Sequence, residues 1–183
     1  MKAVIIYGTG HEQTAKISRF IAQQLQQEGL CVDVFDGRTL PVRFSVDSYD
    51  AVVIGASVQS GKFQRYIVDF VKRHIHELQG KPTAFIGVSM TEADPIARAR
   101  AMNPIKRLLR DTGWQPDSVM SVAGSMAYLR WRWLMRIIWR RVPLPVANET
   151  SPSYEFTDWD AVDRFAREFA MLVRAKHVVT APA

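Results

Sequence analysis

The sequence predicts an α/β fold, a three-layer open sheet of five parallel strands with a long insertion after or within the fifth strand. Five short runs recur along the chain, and their nearly continuous apolar character is typical of parallel strands buried on both faces. Helical patterns separate these runs, and this alternation favours right-handed crossovers around one sheet. The stretch at about 124–156 fits neither pattern and is longer than most loops.

The five strands are predicted from their apolar and β-branched composition. Each run is short and is followed by a turn or by a helical pattern. The runs lie at Ala3–Tyr7, Cys31–Phe35, Ala51–Val58, Thr83–Val88 and Ser118–Ala123. Cys31 stands in the second run, and we expect it to be a small core residue.

The first two helices are predicted from apolar residues that recur with helical spacing. The first contains the stripe Ile17, Ile21 and Leu25. The second keeps an unbroken i, i+3, i+4, i+7 rhythm from Phe63 to Leu78. We therefore expect one continuous helix over that second segment.

Two further helices are predicted from their start signals. Asn103 followed by Pro104 is typical of an N-cap with proline at the first helical position. The last helix is expected to start at Thr157 or Asp158, with a frayed tail beyond Ala175. The predicted organisation is a single domain over 1–175, an insertion at about 125–156 and a tail at 176–183.

Composition excludes several classes of protein. The chain has 183 residues, of which 48% are hydrophobic, so it can bury a core and is not a disordered chain. One cysteine excludes an intramolecular disulfide, and the four scattered histidines leave no zinc-type cluster, so no metal site is predicted. No apolar stretch approaches the length of a membrane span, and we expect a cytoplasmic protein.

The positive charge is concentrated in one segment. The net charge is +6, and Arg130, Arg132, Arg136, Arg140 and Arg141 lie close together without an acidic neighbour. The rest of the chain is nearly neutral. A protein that binds DNA along a face usually spreads its basic residues more widely, so nucleic acid is not a favoured partner.

A short loop rich in glycine and threonine joins the first strand to the first helix. Gly8, Thr9, Gly10 and Thr14 offer amide and hydroxyl donors at a helix N-terminus, which is a suitable site for a phosphate group. The spacing fits neither the P-loop nor the dinucleotide fingerprint. An ordinary strand–helix turn capped by threonine is the alternative interpretation.

A second motif follows the third strand, in the sequence Ile54-Gly55-Ala56-Ser57-Val58-Gln59-Ser60-Gly61. This motif resembles the flavodoxin superfamily. The same resemblance extends to the Thr9–Thr14 loop, Trp114-Gln115-Pro116-Asp117, Thr157-Asp158-Trp159 and the insertion at about 125–156, which we call the Arg-Trp insertion. Within that superfamily the chain resembles the flavin- and quinone-dependent bacterial protoporphyrinogen IX dehydrogenase family, over roughly residues 1–175. Glu12 departs from the pattern, because family members tend to carry glycine there.

The resemblance implies an FMN cofactor, the oxidation of protoporphyrinogen IX to protoporphyrin IX in haem biosynthesis, and a membrane quinone as electron acceptor. A flavodoxin-like quinone reductase or an electron-transfer flavoprotein without a porphyrin substrate is the alternative. No catalytic acid or base is identified from the sequence. The expected cofactor-binding residues are Thr9, Gly10, His11, Glu12, Gln13, Thr14, Ser57, Val58, Gln59, Ser60, Gly61, Ser89, Met90, Thr91, Gly124 and Ser125.

The Arg-Trp insertion places arginines and apolar residues on different faces of a helix. Three interpretations stay open: contact with a membrane or lipophilic substrate, packing on the sheet or on a second subunit in a homo-oligomer, and nucleic-acid binding. The resemblance favours contact with a membrane or lipophilic substrate. It implies an enzyme that is peripherally associated with the anionic surface of the inner (cytoplasmic) membrane. The residues expected to contact substrate or membrane are Arg130, Trp131, Arg132, Arg136, Trp139 and Arg140.

Overall fold

The computed structural model describes residues 1–10, 12–89, 95–123, 126–127, 153–154 and 157–180. The elements within these ranges follow the predicted alternation of strand and helix. They are β1 Lys2–Gly8, α1 Glu12–Gln27, β2 Cys31–Asp36, β3 Ala51–Ser57, α2 Arg65–Arg73, α3 Ile75–Gln79, β4 Thr83–Ser89, α4 Pro95–Thr112, β5 Ser118–Ala123, β6 Met126–Ala127, β7 Ser153–Tyr154 and α5 Trp159–Thr180.

The main sheet has five parallel strands in the order β2-β1-β3-β4-β5, which confirms the predicted class of fold. The chain passes from β1 to β2 on one side and then returns to β3 on the other side of β1. The order of the strands therefore reverses between β1 and β3. In open α/β sheets, ligands bind beyond the carboxyl ends of the strands at such a reversal.

Helices cover both faces of the sheet. Ala3 and Ile5 of β1 belong to the core cluster that includes residues of α1 and α5. Val4 and Ile6 belong to the cluster on the opposite face, with residues of α2, α3 and α4. All four side chains are fully buried, and this double burial explains why the central strands are apolar at nearly every position.

Cys31 is exposed, so the expectation of a core cysteine is wrong. It is the first residue of β2, and β2 is an edge strand of the sheet. The other residues of β2 are only partly buried. An apolar run indicates a strand, but the run alone does not show whether that strand lies in the middle of the sheet or at its edge.

The predicted helix from Phe63 to Leu78 is divided into α2 and α3. His74 leaves the helical conformation, with φ −107° and ψ 23°, and its ring packs 4.5 Å from that of Phe70. Phe70 and Leu78 are nevertheless both buried on the same side of the sheet. The prediction of a continuous helix is wrong because periodicity reports which side chains are buried, not whether the backbone hydrogen bonds continue.

The predicted start of the third helix at Asn103 is also wrong. Helix α4 begins at Pro95, so Pro104 lies inside it rather than at its first turn. An internal proline removes one backbone hydrogen bond and normally weakens a helix. The alanine- and arginine-containing segment before Asn103 has high helix propensity, which favours continuation of the helix across the proline.

The last helix begins as predicted and continues further than predicted. The carboxylate Oδ1 of Asp158 accepts a hydrogen bond from the backbone N–H of Ala161 over 2.9 Å, which makes Asp158 the N-cap. The helix reaches Thr180, so the tail is helical rather than frayed between Ala175 and Thr180. The side chain of Lys176 contributes to this, because its ammonium donates a hydrogen bond to Asp117, which lies just before β5.

A small antiparallel pair follows β5. Met126 of β6 pairs with Tyr154 of β7, and Ala127 pairs with Ser153. The chain thus leaves β5 after Ala123 and forms a second, two-stranded sheet. The pairing joins the two ends of the segment 128–152.

Candidate functional site

The loops that follow β1 and β3 meet at the carboxyl edge of the sheet. The backbone N–H of Gly10 donates a hydrogen bond to the hydroxyl oxygen of Ser57 over 3.3 Å. Gly10 lies in the predicted phosphate loop, and Ser57 is the last residue of β3. The two motifs that the sequence analysis singled out are therefore in contact at the reversal of strand order, where this class of sheet binds ligands.

Gln64 supports this contact from the segment before α2. Its side-chain amide donates a hydrogen bond to the same Ser57 oxygen over 2.5 Å, while its carbonyl oxygen Oε1 is buried and has no hydrogen-bond partner. Gly8 makes this close approach possible, since a Cβ there would overlap Ile67 and lie 3.1 Å from Oε1 of Gln64. An unpartnered buried oxygen is unusual in a folded protein.

Tyr66 is a further residue of this site. Its hydroxyl oxygen accepts a hydrogen bond from the backbone N–H of Thr9 over 3.2 Å. Burial, reinforced by the negative charge of Asp36, raises the pKa of Tyr66 above its ordinary value, so the hydroxyl stays protonated at neutral pH. The sequence analysis missed this role because Tyr66 fits the apolar rhythm of its helix.

Residues 59–62 form a tight two-residue turn. The backbone N–H and C=O groups of Gln59 and Lys62 are hydrogen bonded to each other at 2.8 and 3.0 Å. Ser60 and Gly61 both have positive φ, 48° and 74°, as in a type I′ turn. The turn places the side chain of Gln59 against Gly10, where a Cβ would overlap it.

The first turn of α1 carries the remaining residues of the phosphate loop that the structure describes. Glu12 is exposed, so its carboxylate is solvated. Gln13 donates from Nε2 to the hydroxyl oxygen of Thr157 over 2.8 Å. Thr14 is 1% exposed, and its Oγ1 is buried with no hydrogen-bond partner. A buried hydroxyl in the first turn of a helix is a suitable donor to a phosphate oxygen.

Asp36 ends β2 and Arg38 lies just beyond it, at the same edge of the sheet. The guanidinium of Arg38 contacts both carboxylate oxygens of Asp36, with a shortest distance of 2.6 Å, and this lowers the pKa of Asp36. The side chain of Arg38 is 57% exposed. It therefore supplies positive charge beside the loops, although its own partner partly neutralises that charge.

Ser89 and Val58 have less direct access to a ligand. Ser89 ends β4 and is buried, and Val58 donates its backbone N–H to the carbonyl of Val88 over 2.8 Å while its side chain packs against the core. Several predicted site residues lie outside the described residues. They are His11, Met90, Thr91, Gly124, Ser125, Arg130, Trp131, Arg132, Arg136, Trp139 and Arg140.

The family model for the flavodoxin domain matches residues 4–152. The chain therefore belongs to the flavodoxin domain family. Within it, the relatives that match this chain over most of its length are named protoporphyrinogen IX dehydrogenase (quinone). The protein of that name from Escherichia coli (strain K12) is 33% identical over 175 residues, covering 94% of this chain and 96% of the relative. The one from Leishmania major is 32% identical over 178 residues, covering 93% of this chain and 75% of the relative.

Solved structures show the same fold. The oxidised flavodoxin 1 from Bacillus cereus superposes with a TM-score of 0.56 at 18% identity, covering 93% of this chain and 98% of the flavodoxin. A flavodoxin from the domain Archaea gives a TM-score of 0.53 at 15% identity over 95% of this chain and 99% of that chain. At this level of identity the comparison concerns the fold alone.

Two kinds of feature are absent from the ranges that the structure describes. No helix within them is long and apolar enough to cross a bilayer. The same ranges contain no group of three or more His, Cys, Asp or Glu side chains that could hold a metal ion.

Proposed function

We propose that this protein is a flavin-dependent oxidoreductase that converts protoporphyrinogen IX to protoporphyrin IX and passes the electrons to a quinone. The observation that carries this proposal is the 33% identity with the Escherichia coli protein, which extends over 94% of this chain and 96% of that one. Six electrons and six protons leave the porphyrinogen. Three quinone molecules accept them and become three quinols.

The flavin is FMN, held by its phosphate on the loop between β1 and α1. The supporting observations are the buried, unpartnered Oγ1 of Thr14, the N-terminus of α1 and the amides of the loop. When bound, the isoalloxazine ring accepts two electrons from one substrate and delivers them to another. The protein binds and orients the group: Thr14 and the loop amides hold the phosphate. The turn at 59–62 lies beside the loop, because its Gln59 side chain packs against Gly10.

The proposal is tested with the purified full chain. We expect a visible flavin absorption spectrum, release of FMN rather than FAD on denaturation, and anaerobic oxidation of protoporphyrinogen IX only when a quinone is added. A Thr9→Ala, Thr14→Ala double variant is expected to lose FMN. A protein that binds FMN and reduces quinone from another donor, but leaves the porphyrinogen unchanged, would support the quinone-reductase alternative.

We further propose that the protein docks on anionic membranes, where a lipophilic quinone is available. In the sequence, the Arg130–Arg141 segment supports this. In the structure, the exposed outer face of α2 and of residues 102–112 of α4 supports it: among these residues, whose side chains the structure describes, six basic side chains stand against two acidic ones. The basic residues are Arg65, Lys72, Arg73, Lys106, Arg107 and Arg110, and the acidic ones are Asp69 and Asp111. Each basic residue near an anionic surface contributes about 1 kcal/mol.

Liposome sedimentation separates these two basic regions. Replacing Arg132, Arg136 and Arg140 by Glu tests the insertion, and replacing Lys72, Arg107 and Arg110 by Glu tests the face of α2 and α4. The matched control is a triple reversal of the exposed Arg19, Arg164 and Arg167, which belong to α1 and α5 on the opposite side of the sheet. We expect both triple variants to lose binding to anionic vesicles in a salt-dependent way, while the control still sediments. Equal sedimentation of all proteins would contradict membrane docking.

A further inference from the structure

We propose that the hydroxyl groups of Tyr66 and Ser57 compete with the FMN phosphate for the amide donors of the loop after β1, and thereby limit the affinity for FMN. This inference rests on the proposed function, because it takes the loop as the phosphate site. It assigns to Tyr66 and Ser57 an effect opposite to that of a ligand-binding residue. A phosphate oxygen can accept from the same N–H groups only when the bonds to these hydroxyls are broken.

The amides of Thr9 and Gly10 carry the argument. Thr9 donates its N–H to the Tyr66 hydroxyl over 3.2 Å, and Gly10 donates its N–H to the Ser57 hydroxyl over 3.3 Å. A backbone amide has a single hydrogen. A phosphate oxygen that takes this hydrogen in a short, charge-assisted bond must replace the hydroxyl oxygen. Both bonds are long for N–H···O, so they are weak enough to be replaced.

One short stretch of chain supplies both competing hydroxyls. Ser57 ends β3 and Tyr66 lies in the first turn of α2. Gln64, between them in sequence, orients Ser57 through a 2.5 Å hydrogen bond. In the same stretch, Gln59 lies against Gly10. The segment 57–66 therefore contacts the phosphate loop at several points.

The unpartnered atoms near the loop indicate where a ligand would add hydrogen bonds. Oγ1 of Thr14 and Oε1 of Gln64 are both buried without a partner. A phosphate oxygen accepts from the Thr14 hydroxyl, whereas Oε1 of Gln64 is itself an acceptor and can pair only with a donor group of the ligand. In the bound state the loop thus gains partners that the hydroxyls of Ser57 and Tyr66 do not provide.

The competition predicts that the affinity for FMN increases when a competing hydroxyl is removed. Removing the Tyr66 hydroxyl destabilises only the form in which Thr9 bonds to it. The FMN-bound form has already exchanged that bond for one to phosphate. FMN should therefore bind about three- to tenfold more tightly to Tyr66→Phe than to the wild type, a factor that corresponds to one neutral hydrogen bond.

The experiment compares Tyr66→Phe with Tyr49→Phe. Tyr49 is a matched control, because its hydroxyl also makes one hydrogen bond, to Asp33 over 2.8 Å, but at the opposite end of the sheet. Dissociation constants for FMN are measured by quenching of flavin fluorescence, and those for inorganic phosphate by calorimetry. Thermal unfolding is followed with and without saturating FMN.

We expect Tyr66→Phe to bind both FMN and inorganic phosphate more tightly, and Tyr49→Phe to bind them like the wild type. Tyr66→Phe should lower Tm without FMN more than with it, while Tyr49→Phe should lower both equally. Ser57→Ala should act like Tyr66→Phe. Unchanged or weaker phosphate affinity in both site variants would overturn the inference. If no protein binds FMN, the proposed function fails, and the phosphate titration alone still decides the competition.

Discussion

The side-chain amide of Gln13 donates a hydrogen bond to the hydroxyl oxygen of Thr157 across 2.8 Å. Gln13 belongs to the first turn of α1, and Thr157 is a buried residue just before α5. Trp159 strengthens this connection, since its ring lies 4.8 Å from that of Phe20. The ammonium of Lys16 also lies over the Trp159 ring, 5.0 Å from its centre, in a cation–π contact. The chain that returns from residues 128–156 is thus attached to the helix whose N-terminus forms the candidate phosphate site.

We predict that Thr157→Val weakens FMN binding several-fold and lowers the free energy of unfolding by about 1 kcal/mol. Valine keeps the shape of threonine but removes the oxygen that accepts from Nε2 of Gln13, so the first turn of α1 loses this link to the residues before α5. Fluorescence titration and urea unfolding give the two quantities.

Thr112→Val is the control for this substitution. The hydroxyl of Thr112 donates to the carbonyl of Leu108 over 2.8 Å and accepts from the backbone N–H of Trp114 over 3.3 Å, at the C-terminal end of α4. It should lose similar stability and keep its FMN affinity. Equal FMN affinities for wild type, Thr157→Val and Thr112→Val would show that Gln13 does not help to bind the cofactor.

Thr14→Val should separate stability from binding. Its Oγ1 is buried without a hydrogen-bond partner, and replacing such a group by a methyl of the same shape removes a desolvation penalty of about 1–3 kcal/mol. We expect a higher urea midpoint without FMN, together with at least tenfold weaker FMN binding. A stabilised variant with unchanged FMN affinity would place the phosphate elsewhere.

Gly61→Ala tests the two-residue turn at residues 59–62. Gly61 has φ 74°, and a Cβ there meets no atom within 4 Å. The change therefore adds only backbone strain, which is about 1–2 kcal/mol for a non-glycine residue in this conformation. Urea unfolding should show this loss. Gly80→Ala is the control, since Gly80 has φ −83° and should lose much less.

Tyr49 should make the fold sensitive to alkaline pH. Burial, reinforced by the hydrogen bond to the Asp33 carboxylate, raises the pKa of its phenol from its ordinary 10.0 to about 12. Its stabilising contribution is fully present below pH 10.0 and is lost as pH rises towards 12. Tyr49→Phe should remove this loss from the pH dependence of the urea midpoint.

Asp33 should contribute to stability at the acidic end. Hydrogen bonds from Lys2 and Tyr49 lower the pKa of Asp33, so its contribution is present above pH 3.8 and disappears as pH falls through the lowered value. Asp33→Asn should reduce the pH dependence of the urea midpoint at both the acidic and the alkaline end. Asp163→Asn, which removes a surface carboxylate paired with Arg167 at 3.0 Å, should leave the alkaline part unchanged.

The sheet could be predicted from the sequence almost residue by residue. Burial on both faces imposes an apolar residue at nearly every position of β1, β3 and β4, so their bounds are visible as apolar runs. Helix bounds were harder. Pro104 inside α4 and the break at His74 are decided by backbone hydrogen bonds and by packing, which periodicity does not report.

The candidate site could be predicted in part. Glycines and threonines after β1 indicate a phosphate loop, because their amides and hydroxyls are useful only to an anion or a cap. Tyr66 and Gln64 could not be found in this way. Their roles depend on how α2 packs beside the loop, and an aromatic residue at a helical position is more often part of a core.

The pairing of Ala127 with Ser153 has a consequence for engineering. Since these two residues already face each other across an antiparallel ladder, a two-residue Asn-Gly turn can join them in place of residues 128–152. Such a minimal protein would have the five-stranded sheet and the loops at its carboxyl edge, and a segment from another relative could be grafted at the same two positions. The fold thus offers an exchange point at which one part of the molecule can be replaced while the rest is retained.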